Sequence, residues 1–220
     1  MKRRIVLVGP PASGKGSQAN RIHEKHGIPA VSTGHLLRDE AKAGTELGRL
    51  AAEHTSKGHL APDELVIAVV EKWLDGGREA FVLDGFPRTL LQAVRLESFL
   101  KKRGTPLDVV FSLDCEVETI EDRILNRMQC PICKSVFNVR THLGGNHDAR
   151  CPKCGGHLER RADDTREVLR ERLRVYAEKT KPLMSFYAER NLLVRINGNR
   201  NADAVFADLD AVLVSNPVVV

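Results

Sequence analysis

The sequence predicts an α/β protein built on a parallel sheet, and three observations carry that prediction. Five short apolar runs, at residues 5–8, 30–32, 81–83, 109–113 and 192–196, are spaced as buried parallel strands, the run at 30–32 being the weakest. The stretches between them are longer and carry helical spacing, and such alternation places helices on the faces of a parallel sheet. The chain has 220 residues, 42% hydrophobic and 29% charged. That is enough to bury a core without disulfide staples, and too apolar for disorder throughout.

Met1-Lys2-Arg3-Arg4 resembles the charged start of a signal peptide, but the apolar run behind it ends at Val8, short of the roughly 7–15 residues such a peptide needs. No run approaches the about 20 residues of a membrane span. The expectation is a cytoplasmic chain with no membrane partner. A helix is predicted over 17–26, stopped by Gly27 in the position that favours a left-handed residue. Residues 64–74 form the next helix, with Leu65, Val69 and Trp73 on one face and Gly76-Gly77 as its stop. Residues 90–102 follow, carrying Leu90, Val94 and the Leu96–Leu100 pair. Residues 129–163 break the pattern: they are rich in Cys, Gly, His and Pro and read as an inserted module. Helix resumes with Asp164 and Glu167 spaced as a capping box, and Leu169, Leu173 and Tyr176 form the stripe behind it. Cys115, after a strand, reads as a small buried residue.

Charge and composition narrow the function. Lys plus Arg number 34 against 29 Asp plus Glu, a net charge of +5, which suits acidic ligands in general. Aromatics make up only 5%, which argues against a single-strand nucleic-acid binder working by base stacking.

The first strand runs into Gly9-Pro10-Pro11-Ala12-Ser13-Gly14-Lys15-Gly16-Ser17, with a helix behind it. Gly-x-x-x-x-Gly-Lys in that context is a P-loop, whose backbone N–H groups and helix N-terminus converge on anionic oxygens. Gly16 stands where Ser or Thr usually follows the lysine, so Ser17 is the nearest hydroxyl for a magnesium ion. Asp84 ends the strand 81–83 as a Walker-B carboxylate does.

Cys130-x₂-Cys133 and Cys151-x₂-Cys154 flank residues 134–150, a spacing that suits two knuckles around one tetrahedral zinc. Four thiolates close such a site, so the metal is expected to be structural. Two disulfides or free thiols are the alternatives. His142, His147 and His157 are read as solvated.

Further motifs lie in a fixed order: Gly9 to Gln18, then Ser32-Thr33-Gly34 with Leu36-Leu37-Arg38, then Asp84-Gly85-Phe86-Pro87-Arg88-Thr89 with Gln92. Asp122-Arg123 with Arg127 comes next, followed by Arg161-x-Asp163-Asp164 with Arg172-Leu173 and Tyr176. Over nearly its whole length the chain resembles the adenylate kinases, in their long form with a zinc-bearing lid.

The resemblance implies a P-loop NTPase-type five-stranded parallel sheet flanked by helices, with a small helical NMP-binding insertion and a zinc-bearing lid insertion. The core is expected at 1–31, 62–125 and 165–220, the NMP-binding insertion at 32–61 and the lid at 126–164. The implied reaction is reversible, Mg²⁺-dependent phosphoryl transfer between ATP and AMP, giving two ADP, in a monomer. Family positions assign catalysis to Lys15, Arg88, Arg123, Arg127, Arg161 and Arg172. They assign ATP to Ala12, Ser13, Gly14, Lys15, Gly16, Ser17, Arg123, Arg127, Val136, Phe137 and Arg200. AMP falls to Thr33, Arg38, His59, Leu60, Ala61, Gly85, Phe86, Pro87, Arg88, Gln92, Arg161 and Arg172, and magnesium's water shell to Asp84. Thr33 and Gln92 favour adenine, because the pyrimidine monophosphate kinases usually carry Ala and Asn there and Gln can pair an adenine edge through donor and acceptor together. Three positions depart from the family: His35 replaces a usual Asp, Ala12 a usual Gly, and Asn138 a frequent His. The competing readings are a kinase for another nucleoside monophosphate (UMP, CMP or GMP) and a zinc-ribbon nucleic-acid-binding protein.

Overall fold

The computed structural model describes residues 1–215. In chain order the elements are β1 (Arg4–Val8), α1 (Lys15–His26), β2 (Ala30–Ser32), α2 (Thr33–Lys42), α3 (Glu46–Thr55), α4 (Asp63–Leu74), β3 (Phe81–Asp84), α5 (Leu90–Lys102) and β4 (Val109–Asp114). They continue with α6 (Val117–Leu125), β5 (Arg127–Gln129), β6 (Val136–Asn138), α7 (Val139–His142) and α8 (Arg166–Val175). A π-helical turn, Tyr176–Thr180, leads to α9 (Leu183–Ala188), β7 (Leu193–Asn197) and α10 (Ala202–Val214).

Five strands form one parallel sheet in the order β2-β3-β1-β4-β7. Because side chains alternate along a strand, its central strands feed two cores. Val6, Val8, Phe81, Leu83 and Val110 face α4, α5 and α9, while Ile5, Leu7, Val82, Phe111 and Leu113 face α1 and α10. This is why the central strands read as continuous apolar runs: both faces are covered. The register sets Leu7 level with Asp84 and with Phe111, so the loop after β1 and the Asp84 carboxyl emerge side by side at the carboxyl end of the sheet. Ligands of open α/β sheets bind in that crevice.

Two helical faces differ from expectation. On α4 the buried line is Val66, Ile67, Val70 and Leu74; Leu65, Val69 and Trp73 lie half-buried on its flank. The sheet takes the face with most aliphatic bulk, and Trp73 is left to stack under the Arg78 guanidinium, 4.3 Å from the ring centre. On α5, Ala93, Leu96 and Leu100 face the core, and Leu90 and Val94 point outward. The capping box is also displaced. Thr165 caps α8 by accepting from the Val168 N–H, and Asp164 is engaged elsewhere. Gly27 does adopt the left-handed C-terminal position of α1.

The cysteine-rich segment has a small core of its own, Met128, Cys130, Val139, Cys151 and Leu158, beneath the β5–β6 antiparallel pair. Its three-residue strands are too short to carry a readable period. Among the described residues no helix is long and apolar enough to cross a membrane.

The corrected α5 face is open to a stability measurement. Urea unfolding of Leu96→Ala is expected to show a loss of about 2–5 kcal/mol, and of Leu90→Ala a change within about 0.5 kcal/mol. Similar losses in both variants would contradict the assignment.

Candidate active site and metal centre

The loop between β1 and α1 is shaped by close packing. Gly9 has φ +145°, and a Cβ there would lie 2.7 Å from the Leu113 carbonyl oxygen, so only glycine fits. Gly14 closes the loop and leaves the first N–H groups of α1 without a side-chain cap, facing the crevice. Lys15 Nζ donates to the carbonyls of Gly9 (2.9 Å) and Pro10 (2.7 Å) and to Ser13 Oγ (3.3 Å). Burial pushes this ammonium down to about 8, with Asp84 opposing the shift. A Cβ on Gly16 would stand 3.2 Å from Asp84 Oδ2, so a larger residue here would require the carboxylate to shift. Ser13 is buried, whereas Ser17 is exposed. Ala12 sits at φ +57°, a left-handed conformation that disfavours a side chain by about 1–2 kcal/mol.

One cleft extends from this loop. Lys15, Arg38, Arg88, Arg127, Arg161 and Arg172 line it together with Thr33, His59, Leu60, Ala61, Gly85, Pro87 and Gln92. The arginines come from α2, the turn after β3, β5, the segment before α8, and α8 itself, so sequence separation hides their convergence. Each is held. Arg88 Nε donates to the Gly85 carbonyl at 2.8 Å, and its backbone N–H to Gln92 Oε1 at 2.7 Å. Arg127 forms a two-point pair with Asp164, its Nε 2.7 Å from Oδ2. Arg172 pairs with Asp163. Arg161 Nε donates to Gln129 Oε1 at 2.5 Å.

The cations strain one another electrostatically. Burial, then Arg127 and Arg38, push the Arg161 guanidinium down to about 9. Burial also lowers Arg88 and Arg38, and neighbouring arginines add to the effect. Asp163 and Asp164 offset part of this charge. A bound polyanion would relieve the rest, so the cleft favours anionic groups.

At the far end, Thr33 Oγ1 donates to the Gly85 carbonyl at 2.9 Å. Gln92 Nε2 donates to Asp63 Oδ1 at 2.8 Å, and Asp63 Oδ2 accepts from Thr89 Oγ1 at 2.8 Å. Asp63 is a site residue that the sequence reading missed. It begins α4, and only its position beside Gln92 reveals it.

Other expected residues lie apart from this cleft. Arg123 Nη1 lies against the Ala12 and Ser13 carbonyls (3.5 and 3.4 Å), and its Nη2 donates to the Arg200 carbonyl at 3.2 Å. The Arg200 side chain turns to Asp208. Val136 is exposed, and Phe137 packs on the small cysteine-rich core with its ring 6.4 Å from His142. The Phe86 side chain is buried in the main core, which leaves only its backbone for a ligand. Asn138 caps α7, accepting from the N–H groups of Arg140 and Thr141. Cys115 is half-buried, its thiol raised by burial, with Arg123 Nη1 3.4 Å from Sγ.

The four sulfurs of Cys130, Cys133, Cys151 and Cys154 lie within 4.8 Å of one another and could hold a metal ion. The pairs Cys130–Cys154 and Cys133–Cys151 are each 3.5 Å apart, well beyond a disulfide bond of about 2.05 Å. A tetrahedral zinc with bonds of about 2.3 Å sets its sulfurs about 3.8 Å apart, so the cluster fits that ion. His142, His147 and His157 are not part of the cluster.

The burial of Lys15 predicts a pH dependence. The side chain is charged below about pH 8 and neutral above it, so anions bind better on the acid side. Calorimetric titration with sulfate, whose own charge is constant over the range, should show affinity falling up to about tenfold between pH 7 and 9, as a group titrating near 8 loses its charge. Lys15→Met should remove most of that fall; an unchanged slope in this variant would assign the titration to another cation of the cleft, such as Arg161.

Comparison with known proteins agrees with this geometry. The adenylate kinase family model matches residues 7–192. An adenylate kinase of Archaeoglobus fulgidus is 40% identical over 211 residues, covering 95% of this chain and 97% of the relative. One from Caldanaerobacter subterraneus subsp. tengcongensis is 41% identical over 215 residues, covering 97% of each. One from Kosmotoga olearia is 42% identical over 207 residues, covering 93% of this chain and 96% of the relative. With a P-loop, a converging arginine cleft and near full-length similarity of this degree, the chain belongs to the adenylate kinase family.

Proposed function

We propose that this protein transfers a phosphoryl group reversibly from ATP to AMP, giving two ADP. The observation that carries the reading is the single cleft that joins Lys15 of the P-loop to five arginines and ends at Thr33 and Gln92. The attacking atom is a phosphate oxygen, ionised at neutral pH, so no general base is required. Catalysis then rests on positioning and charge neutralisation.

In this reading the donor phosphates lie on the loop N–H groups of residues 12–17 and Lys15, with Arg123 beside the loop and Arg127 facing the transfer point. Val136, Phe137 and the backbone near Arg200 border the donor base. The acceptor phosphate meets Arg38, Arg88, Arg161 and Arg172. The acceptor base lies between Thr33, Gly85 and Gln92, against the backbone of residues 59–61. Gln92 retains one N–H and one oxygen lone pair beyond its bonds to Asp63 and Arg88, which matches the donor–acceptor edge of adenine.

Asp84, buried beside Gly16, is suited to hold the water shell of Mg²⁺, which neutralises phosphate charge when bound. The four cysteines are suited to a structural zinc. The core comprises 1–31, 62–125 and 165–220, of which 216–220 lie outside the described residues; 32–61 form the acceptor arm and 126–164 the lid. The working unit is a monomer in the cytoplasm.

The test is ADP formation from ATP with AMP, UMP, CMP or GMP, with and without Mg²⁺. Turnover is expected with AMP and Mg²⁺. Arg88→Ala should lower kcat by roughly 10²–10³-fold, as removal of a transition-state charge partner does. Thr33→Ala should narrow the preference for AMP over UMP. Turnover with another acceptor alone would overturn the adenine reading, and no turnover with any acceptor would overturn the kinase.

Stripping the metal with a chelator should lower Tm well before it affects chemistry, because four thiolates leave no open coordination position. If Co²⁺ or Cd²⁺ substitution changed kcat at constant Tm, the structural role would be wrong.

A further inference from the structure

His35 lies on α2, in the proposed acceptor arm, and Gln129 ends β5, in the proposed lid. Their side chains meet, with His35 Nε2 3.1 Å from Gln129 Nε2. The other end of the same amide, Oε1, lies 2.5 Å from Arg161 Nε. A guanidinium can only donate, so the atom facing Arg161 must be the amide oxygen. The NH₂ therefore faces His35, and His35 Nε2 must accept. That leaves the ring neutral, with its proton on Nδ1.

The amide has little freedom to turn. Its NH₂ also donates to the Lys134 carbonyl at 3.3 Å. The Gln129 backbone is pinned by reciprocal bonds to Glu159, at 2.8 and 2.9 Å. A second, more exposed contact joins the same two segments, Lys134 Nζ to Asp39 at 3.2 Å. Such a surface pair contributes little by itself.

We propose that His35 and Gln129 form an uncharged relay that ties the acceptor arm to the lid and aims Arg161 into the cleft. Both are positioning residues, because neither donates directly into the proposed reaction. The advantage of a neutral partner is electrostatic. A carboxylate at position 35 would set a negative charge near Arg161 and offset part of the guanidinium's charge. An amide oxygen orients the guanidinium and leaves its full charge for a substrate phosphate. The charged groups around the ring are Arg38 and Asp39 on α2, Asp84 on β3 and Arg161. Burial and the two arginines hold the ring neutral, pushing it down to about 4. With Nε2 engaged by Gln129, that nitrogen is not available to a magnesium water shell.

This inference rests on the kinase reading, and its test separates the two. The protein is labelled with ¹⁵N-histidine, and steady-state kinetics with ATP and AMP are run on His35→Leu, Gln129→Leu, the double variant and His35→Gln. The unaltered protein is expected to show the Nδ1–H tautomer at His35, and Gln129→Leu to lose that bias. Each Leu variant should lower kcat/KM for AMP about tenfold, and the double variant should add less than twofold more. His35→Gln should recover most of the loss, since its carbonyl can accept from Gln129. An Nε2–H tautomer in the active protein, or effects of the two Leu variants that multiply, would overturn the relay and leave the kinase intact. If the unaltered protein is inactive with all acceptors, the kinase reading fails, and with it the role given to the relay.

Discussion

Six half-buried cations repel one another across a single cleft, and much of the architecture serves to hold them there. Five arginines and a lysine share one cleft, and no single element could hold them there. Unlike charges at such separations, like charges must be anchored by their backbones and by partners outside the cleft. The sheet anchors Lys15 and the turn carrying Arg88, while α2 and α8 supply Arg38 and Arg172. Asp163 and Asp164 temper the array without cancelling it. The fold thus stores an unmet demand for negative charge in a fixed place.

The cysteine-rich segment follows from that demand. Arg127 and Arg161 flank it in the chain, and their separation must be set by something stiffer than a loop. A hairpin over a small core, closed by four cysteines, meets that need without a large apolar interior. The Lys153–Glu24 ion pair, at 2.6 Å, sets the same segment against α1, while the His35–Gln129 contact reaches α2. The segment therefore touches both neighbours of the cleft.

Much of this was legible in the residues. The five strands were, because strands covered on both faces must be apolar throughout. The P-loop was, because its glycines and lysine meet a local geometric requirement. The cysteine spacing was, because a tetrahedral site limits the length of each knuckle. The faces of α4 and α5 were not. Leu90, Val94 and Trp73 are as apolar as Leu96 or Val70, and which of them is buried depends on the rotation of the helix against the sheet. The cap of α8 was misread for a similar reason: Asp164 and Thr165 can both cap, and Arg127 took the aspartate.

By itself, the sequence determined the fold class, through its alternating apolar runs, and the anion-binding loop and cysteine module, because each of these has a signature within a few residues. Only the tertiary structure decided which arginines share one cleft, that Asp63 steadies Gln92, and that His35 meets Gln129 rather than a carboxylate partner. Those are contacts between residues far apart in the chain. Their energies depend on distance in space, which one-dimensional spacing does not encode.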